Sequence, residues 1–344
     1  MGHRIGRIFR EVPGYLMAVA GFAAGSERAL GGPVSCAIEP TNLCNLRCPL
    51  CAAGAGLLER PKGCMSADEF ARIVSRLPRS VTTLYLWGQG EPFLAPEFLA
   101  MVRFAVRRGF RTVTSTNGHF LDDPENIARS GLDTLIVSLD GADPETYASY
   151  RVGGDFHRVE EGIRRVAEAS RRLGDGPNIL IQCVVNRMNE RSRKRLRTLA
   201  SETGARRVVF KTLQAASMPG GGELLPRDPR LSRYRTGADG GLETDRLGML
   251  ANRCLRLYHS FQVDWQGNVV PCCFDKNSEW VMGNLVMGSP NYAKHTSGCL
   301  SDTIDTVWNA PRYREFRRML NRSGRALPMC RDCTEGLRRM NIYA

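Results

Sequence analysis

Cys44, Cys48 and Cys51 are spaced C-x3-C-x2-C in the run Cys36-Ala-Ile-Glu-Pro-Thr-Asn-Leu-Cys44-Asn-Leu-Arg-Cys48-Pro-Leu-Cys51. Three thiolates this close on one loop suit three irons of a four-iron cubane. No fourth cysteine lies in this claw, so one iron keeps an open position for a ligand that is not protein. A zinc knuckle or a disulfide set is the alternative. Structural zinc takes four ligands, however, and the nearest spare thiols, Cys36 and Cys64, lie outside the claw.

A second cysteine group stands near the C-terminal end. Cys254, Cys272, Cys330 and Cys333 supply four thiolates from two hairpin-like elements, a closed tetrahedral set. C-x2-C hairpins hold both iron and zinc, so a zinc ribbon is the rival here. Asp275 follows Cys272-Cys273-Phe274, where an Asp reads as a turn cap.

These groups need a frame to hold them. From Pro33 to about Leu213, short β-rich runs alternate with helical patterns, the signature of repeated βα units around a parallel sheet. Strands are expected at 34–39, 83–87, 112–116, 134–139, 179–185 and 208–213. Six such strands make an α/β fold, a partial (β/α)6 parallel barrel. The intervening helices begin with reasonable caps: Ser66, with Glu69 three residues on, completes an S-x-x-E capping box. In such a barrel the loops after the strands build the site. Those loops carry Gly88-Gln89-Gly90-Glu91-Pro92, Thr116-Asn117-Gly118 and Ser138-Leu139-Asp140-Gly141, with Arg151 downstream. Gln182 and Lys211, on the fifth and sixth strands, point to the same rim if the register holds.

Between Ser217 and Gly248 the chain turns rich in Gly, Pro and Arg and loses periodicity, as a linker or active-site flap would. The expected organisation is a helical extension over 1–32, the barrel over 33–216, a linker or flap over 217–250 and a small cysteine-rich domain over 251–344.

The length of 344 residues and an apolar content of 42% are ordinary for a globular protein. Cysteines grouped this way in a chain of this length read as metal ligands in a reducing cytoplasm rather than as a disulfide framework. The N-terminus, with Arg4, Arg7 and Arg10 before the apolar run from Tyr15 to Ala24, mimics a signal peptide. The run is shorter than the roughly 20 apolar residues a bilayer span takes. It reads as a helix packed on the barrel exterior, and peripheral membrane contact is the alternative. The formal charge of +13 attracts anionic partners in general. The arginines spread along helices, and no RNA-binding module or aromatic-interleaved basic stretch stands out, so nucleic acid is not the expected partner.

The claw and the loops together resemble the radical S-adenosylmethionine (SAM) enzyme family. That resemblance implies a four-iron cluster whose open iron is chelated by SAM, and reductive cleavage of SAM to a 5′-deoxyadenosyl radical that abstracts hydrogen. Gly88-Gln89-Gly90-Glu91-Pro92 is similar to the family's GGEP motif, whose backbone contacts the SAM amino group; Gln89 replaces a glycine. The Thr-Asn-Gly and Ser-Leu-Asp-Gly segments match as well, which implies SAM-binding roles for Asn117, Ser138, Asp140 and Arg151, with Gln182 as a further rim residue. The C-terminal part resembles the SPASM domain or its shortened twitch form, with Gly267, Gly283-Asn284 and Val307-Trp308-Asn309 as landmarks. Too few cysteines follow Cys333 for a second auxiliary cluster, so one is expected. A low-potential donor such as flavodoxin or ferredoxin is the implied electron partner.

A fully ligated auxiliary cluster passes electrons rather than binding substrate, which favours oxidation of a small molecule such as a sugar or aminoglycoside. Asp275 resembles the acid near the cluster cysteine in sulfatase-maturing relatives, which implies a candidate base, with the turn cap as its other reading. Redox-neutral epimerisation is the alternative, with Cys64, Cys183 or Cys299 as hydrogen donor; Cys183 and Gln182 alternate, so only one faces the barrel interior. Modification of a peptide or protein side chain is a further alternative. Peptide modifiers often carry a leader-binding domain, and the short stretch before the barrel tilts the expectation to small molecules or a folded partner. A non-catalytic iron–sulfur or zinc scaffold is the third class.

Overall fold

The computed structural model describes residues 2–342 apart from 216, 217, 219, 238–240, 247–252, 287–302, 324–326, 332 and 338–340. Its contacts divide the chain into two compact units that interleave along the sequence. One takes Met1–Leu43, Leu58–Thr112 and Met249–Cys330; the other takes Cys44–Leu57, Val113–Gly248 and Arg331–Ala344.

The βα alternation read from the sequence is present. The strands are β1 (Ser35–Ile38), β2 (Thr83–Tyr85), β3 (Arg111–Thr116), β4 (Thr134–Ser138), β5 (Asn178–Val185) and β6 (Arg207–Thr212). In the first unit β1 and β2 pair in parallel, joined through a helix over Ala67–Ser75. That helix begins where the capping box predicts: the Ser66 hydroxyl accepts from Glu69 N, and the Glu69 carboxylate accepts from Ser66 N at 2.8 Å. Phe70, Ile73 and Val74 form its buried face. In the second unit β3, β4, β5 and β6 pair in parallel in that order. Ile179, Ile181, Cys183 and Val185 make the buried face of β5 while Leu180, Gln182 and Val184 stay half-buried. The period of two puts them on opposite faces.

The described residues between 218 and 246 hold more regular structure than the lost periodicity suggests. Among the described residues β7 (Tyr234–Thr236) and β8 (Leu242–Thr244) form an antiparallel pair. The Tyr234 hydroxyl accepts from Ala215 N at 2.8 Å and packs beside Tyr150 and Leu213. Polar hairpins carry no strong apolar alternation, which is why the pattern is weak in sequence.

The cysteine-rich C-terminal segment continues the first unit's sheet. β9 (Ser260–Val263) pairs in parallel with β1, Ser35 opposite Ser260, and β10 (Asn268–Val270) and β11 (Gly283–Asn284) follow antiparallel. The β9–β10 turn is set by Asp264, whose Oδ1 accepts from Gln266 N and Asn268 N, and by Gly267 at φ +82°. A side chain there would also meet Val286. Trp308, one of the sequence landmarks, meets Tyr313 edge-on beside the fully buried Arg317 guanidinium, which lies 4.3 Å from the Tyr313 ring centre.

The N-terminal segment is a helix, α1 (Gly2–Ala23), held in the first unit against the stretch Leu255–His259.

Candidate functional site

In the second unit the claw lies on a loop whose backbone is tied down at both ends. Cys51 N donates to Cys48 O at 3.2 Å, and Arg47 N donates to Val152 O at 2.9 Å. Two side chains approach the sulfurs. Asn117, which follows β3, brings Nδ2 to 3.9 Å from Cys44 Sγ and 2.7 Å from Asn45 Oδ1. Its Oδ1 accepts from His119 N and lies 3.0 Å from His119 Nδ1. His119 Nε2 in turn accepts from Asp155 N, which leaves the proton on Nδ1 for Asn117. The Asn117 amide is thus locked with its N–H groups toward the claw.

Arg151 is the second. Its Nη1 lies 4.0 Å from Cys48 Sγ, and its Nε donates to Asp140 Oδ2 at 2.5 Å. Asp140 is fully buried and its other oxygen accepts from Val184 N at 2.6 Å. The guanidinium is therefore aimed by a fixed carboxylate, and the Asp140 charge holds the Arg151 pKa well up against the opposing effect of burial. Burial pushes the Cys48 thiol up to about 11; the Arg151 charge pulls the other way. Ser138 and Gln182 are register partners across β4 and β5. Lys211 lies on β6, opposite Val184.

In the first unit Gly88-Gln89-Gly90-Glu91 folds against the segment that leads into the claw. Glu91 N donates to Leu43 O at 2.7 Å. A Cβ on Gly90 would sit 2.5 Å from Thr41 O, and one on Gly88 would sit 2.3 Å from Glu39 Oε2, so both positions exclude a side chain. Gln89 N donates to Glu39 Oε2 at 2.9 Å, and Gln89 Nε2 reaches Cys273 O at 3.4 Å.

Sequence reasoning missed Glu39 and Arg60. They form a bidentate ion pair at 2.6 and 2.7 Å, with Glu39 fully buried. Arg60 Nε also donates to Lys276 O at 2.7 Å. One buried pair thus joins the end of β1, the glycine loop and the loop after Cys272. The available signal was an acid ending an otherwise apolar strand, which needs a buried cation.

The remaining predicted residues fall in separate places. Asp275 is buried, accepts from Glu279 N and Trp280 N at 2.9 Å each, and is pushed up to about 6 by burial. Those two bonds also make it the cap of its own turn. Cys64 is half-buried and bonds to the Thr41 hydroxyl at 3.2 Å. Cys183 faces the buried side of β5, 3.6 Å from Asn189 Nδ2, so Gln182 takes the other face. Cys299 lies outside the described residues.

Of the second cysteine set, Cys254 and Cys272 lie in the first unit near enough to influence each other's charge, and Cys330 is buried there too. Cys333 is buried in the second unit. Among the described residues no three His, Cys, Asp or Glu side chains stand together as a metal site. The donor sets still fit iron–sulfur clusters. All are thiols, and the claw has N–H groups directed at two sulfurs, the neighbours that stabilise cluster-bound thiolates. Metal binding and ordering of the ligands are coupled. Cys330→Ala is expected to lower thermal stability and iron content while the absorbance and EPR of the first cluster persist. Unchanged iron and stability would show that Cys330 is not a ligand.

A radical SAM superfamily profile matches residues 38–196, and an iron–sulfur cluster-binding domain profile, SPASM, matches 254–334. These domains imply a SAM-binding four-iron cluster and auxiliary cluster binding. The tungsten-containing aldehyde ferredoxin oxidoreductase cofactor-modifying protein of Pyrococcus furiosus is 25% identical over 86% of this chain and 86% of its own length. Mycofactocin maturase MftC of Mycobacterium tuberculosis is 30% identical over 52% of this chain and 44% of its own. Several other curated relatives are likewise matched over about half their length. Among solved structures, SuiB of Streptococcus suis bound to S-adenosylmethionine superposes with a TM-score of 0.61 at 15% identity, covering 83% of this chain and 68% of that one. That likeness establishes the α/β fold with its parallel sheet.

Proposed function

Because the chain belongs to the radical SAM superfamily and carries an iron–sulfur cluster-binding SPASM domain, we propose that it dehydrogenates a small molecule such as a sugar or aminoglycoside. The observation that carries this reading is the Glu39–Arg60 pair, which ties the glycine loop to the loop holding Cys272, Cys273 and Asp275. An oxidation needs the group that binds SAM and the group that takes up charge to be held in fixed relation, and this pair supplies that coupling.

When bound, SAM and the first cluster supply a 5′-deoxyadenosyl radical that takes one hydrogen atom, and the auxiliary cluster supplies an acceptor for the electron that follows. The chain's own residues do the rest. In the second unit the Ser138 and Arg151 side chains would hold SAM, with Arg151 oriented by Asp140. Asn117 and Arg151 direct N–H groups at the claw sulfurs, and the Arg151 charge opposes the rise that burial imposes on Cys48. Asp275 accepts the proton that leaves with the electron, so the substrate loses two hydrogens in all. One relative's name favours a second reading, modification of a peptide side chain: PqqA peptide cyclase of Streptomyces rochei, 26% identical over 72% of this chain and 71% of its own length.

The test is anaerobic turnover in deuterated water with panels of sugars, aminoglycosides and short peptides, read as 5′-deoxyadenosine and product mass. A small-molecule product two hydrogens lighter, with no deuterium at the reacting carbon, is the expected result. Asp275→Asn is expected to keep SAM cleavage and iron content while product falls about 10²-fold. Deuterium at an inverted carbon, lost in Cys64→Ala, would establish epimerisation instead, and turnover of the peptides alone would establish the second reading.

A further inference from the structure

α1 turns the wrong side inward for an ordinary surface helix. Such helices face their large apolar side chains to the core and their polar ones to water. Here the side against the protein is made of small residues: Ala18 is 1% exposed, a Cβ on Gly14 would lie 2.4 Å from Val34 Cγ1, and Gly21 sits on the Tyr258 ring. Most of the large aliphatic residues face outward. Leu16 is 65% exposed, and Val12, Tyr15 and Val19 are about half exposed. Val12, Leu16 and Val19 recur at the i, i+4, i+7 spacing of one helix face, and in sequence the series continues back through Ile5, Ile8 and Phe9.

The arrangement is fixed rather than accidental. Rings tie the helix down, Tyr15 to His259 at 5.1 Å and Phe22 to Tyr258 at 6.4 Å. Arg253 Nη1 donates to Phe22 O and Ala23 O, and the Tyr258 hydroxyl donates to Ser26 O. The helix cannot roll its apolar face inward without breaking these contacts.

We propose that α1 lies on an anionic lipid bilayer, with the Val12–Leu16–Val19 face in the interfacial layer. Charge selects this occupant. Arg4, Arg7 and Arg10 lie on the same helix, whose one acid, Glu11, is engaged by the Thr82 hydroxyl. An exposed apolar stripe with arginines on the same helix is the composition of an interfacial helix. A second copy of a chain carrying +13 would be repelled by it, whereas an anionic surface is complementary. No described helix is long and apolar enough to cross a membrane, so the helix would lie on the surface.

The experiment is anaerobic flotation of the cluster-loaded, full-length protein with vesicles of phosphatidylcholine alone or mixed with phosphatidylglycerol. The protein is expected to float with the mixed vesicles, to be released by high salt, and to lose about tenfold in bound-to-free ratio on Leu16→Glu with Val19→Glu. Both positions are solvent-facing, so iron content and SAM cleavage in solution should match the parent and exclude misfolding. Absence of flotation with either vesicle, or flotation that the double substitution leaves unchanged, would overturn the proposal. So would a vesicle-independent dimer, seen by light scattering and dissociated by the same substitutions, which would assign the face to a second copy.

Discussion

Replacing Cys44, Cys48 and Cys51 together by alanine is expected to abolish SAM cleavage and to remove about half of the iron, roughly four of eight atoms if one auxiliary cluster is present. The three thiols share one loop, and none has a function once the cluster they hold cannot form. The rest of the fold has little stake in them: the loop's backbone bonds, Arg47 N to Val152 O and Cys51 N to Cys48 O, do not involve the sulfurs. The variant should therefore stay folded and keep the auxiliary cluster's absorbance. The measurement is iron and sulfide content with 5′-deoxyadenosine production after anaerobic reconstitution. Residual SAM cleavage in the triple variant would mean that another part of the chain holds the reactive cluster.

Arg60→Ala is expected to destabilise the protein by about 3–5 kcal/mol, because removing one partner of a buried pair leaves the other charge unpaired. The Glu39 carboxylate is fully buried, and Gln89 N would remain as its donor once Arg60 is gone. Arg60→Ala also orphans the Lys276 carbonyl. Glu39→Gln should behave differently: it removes the charge yet retains an oxygen to accept from Gln89 N or Arg60, so its cost should be smaller. Anaerobic thermal unfolding of the iron-loaded protein checks both. An Arg60→Ala variant that melts with the parent would show that water solvates this pair. If the pair also sets the glycine loop, SAM cleavage by Arg60→Ala should fall at temperatures well below its midpoint, where the fold is intact. Arg60→Lys should recover part of the stability but not the bidentate geometry.

The difference between these two sites marks what is legible in the amino-acid sequence. The claw spacing, the βα alternation, the Ser66–Glu69 cap and the tight glycines at 88 and 90 all depend on residues a few positions apart. Their physics is local: ligand bite, helix and strand period, and backbone freedom. Asp275 could be narrowed only to two roles from its neighbours, since the Glu279 and Trp280 amides that engage it are supplied by the fold of its own turn.

Tertiary structure decided the rest. Glu39 and Arg60 are 21 residues apart, and Arg60 and Lys276 are 216 apart. No periodicity links such positions, because a buried charge takes whichever partner the fold delivers. The pairing of β9 with β1 has the same character: both strands are short apolar runs, and adjacency arises from which edge is open. On β5, sequence established that Gln182 and Cys183 must face opposite ways, but only packing chose which one is buried. For α1, sequence determined only an apolar run from Tyr15 to Ala24 that reads as a helix. Which side meets the protein was decided by where Gly14, Ala18 and Gly21 could approach Val34 and Tyr258 closely, a matter of shape between segments more than two hundred residues apart for Gly21 and Tyr258.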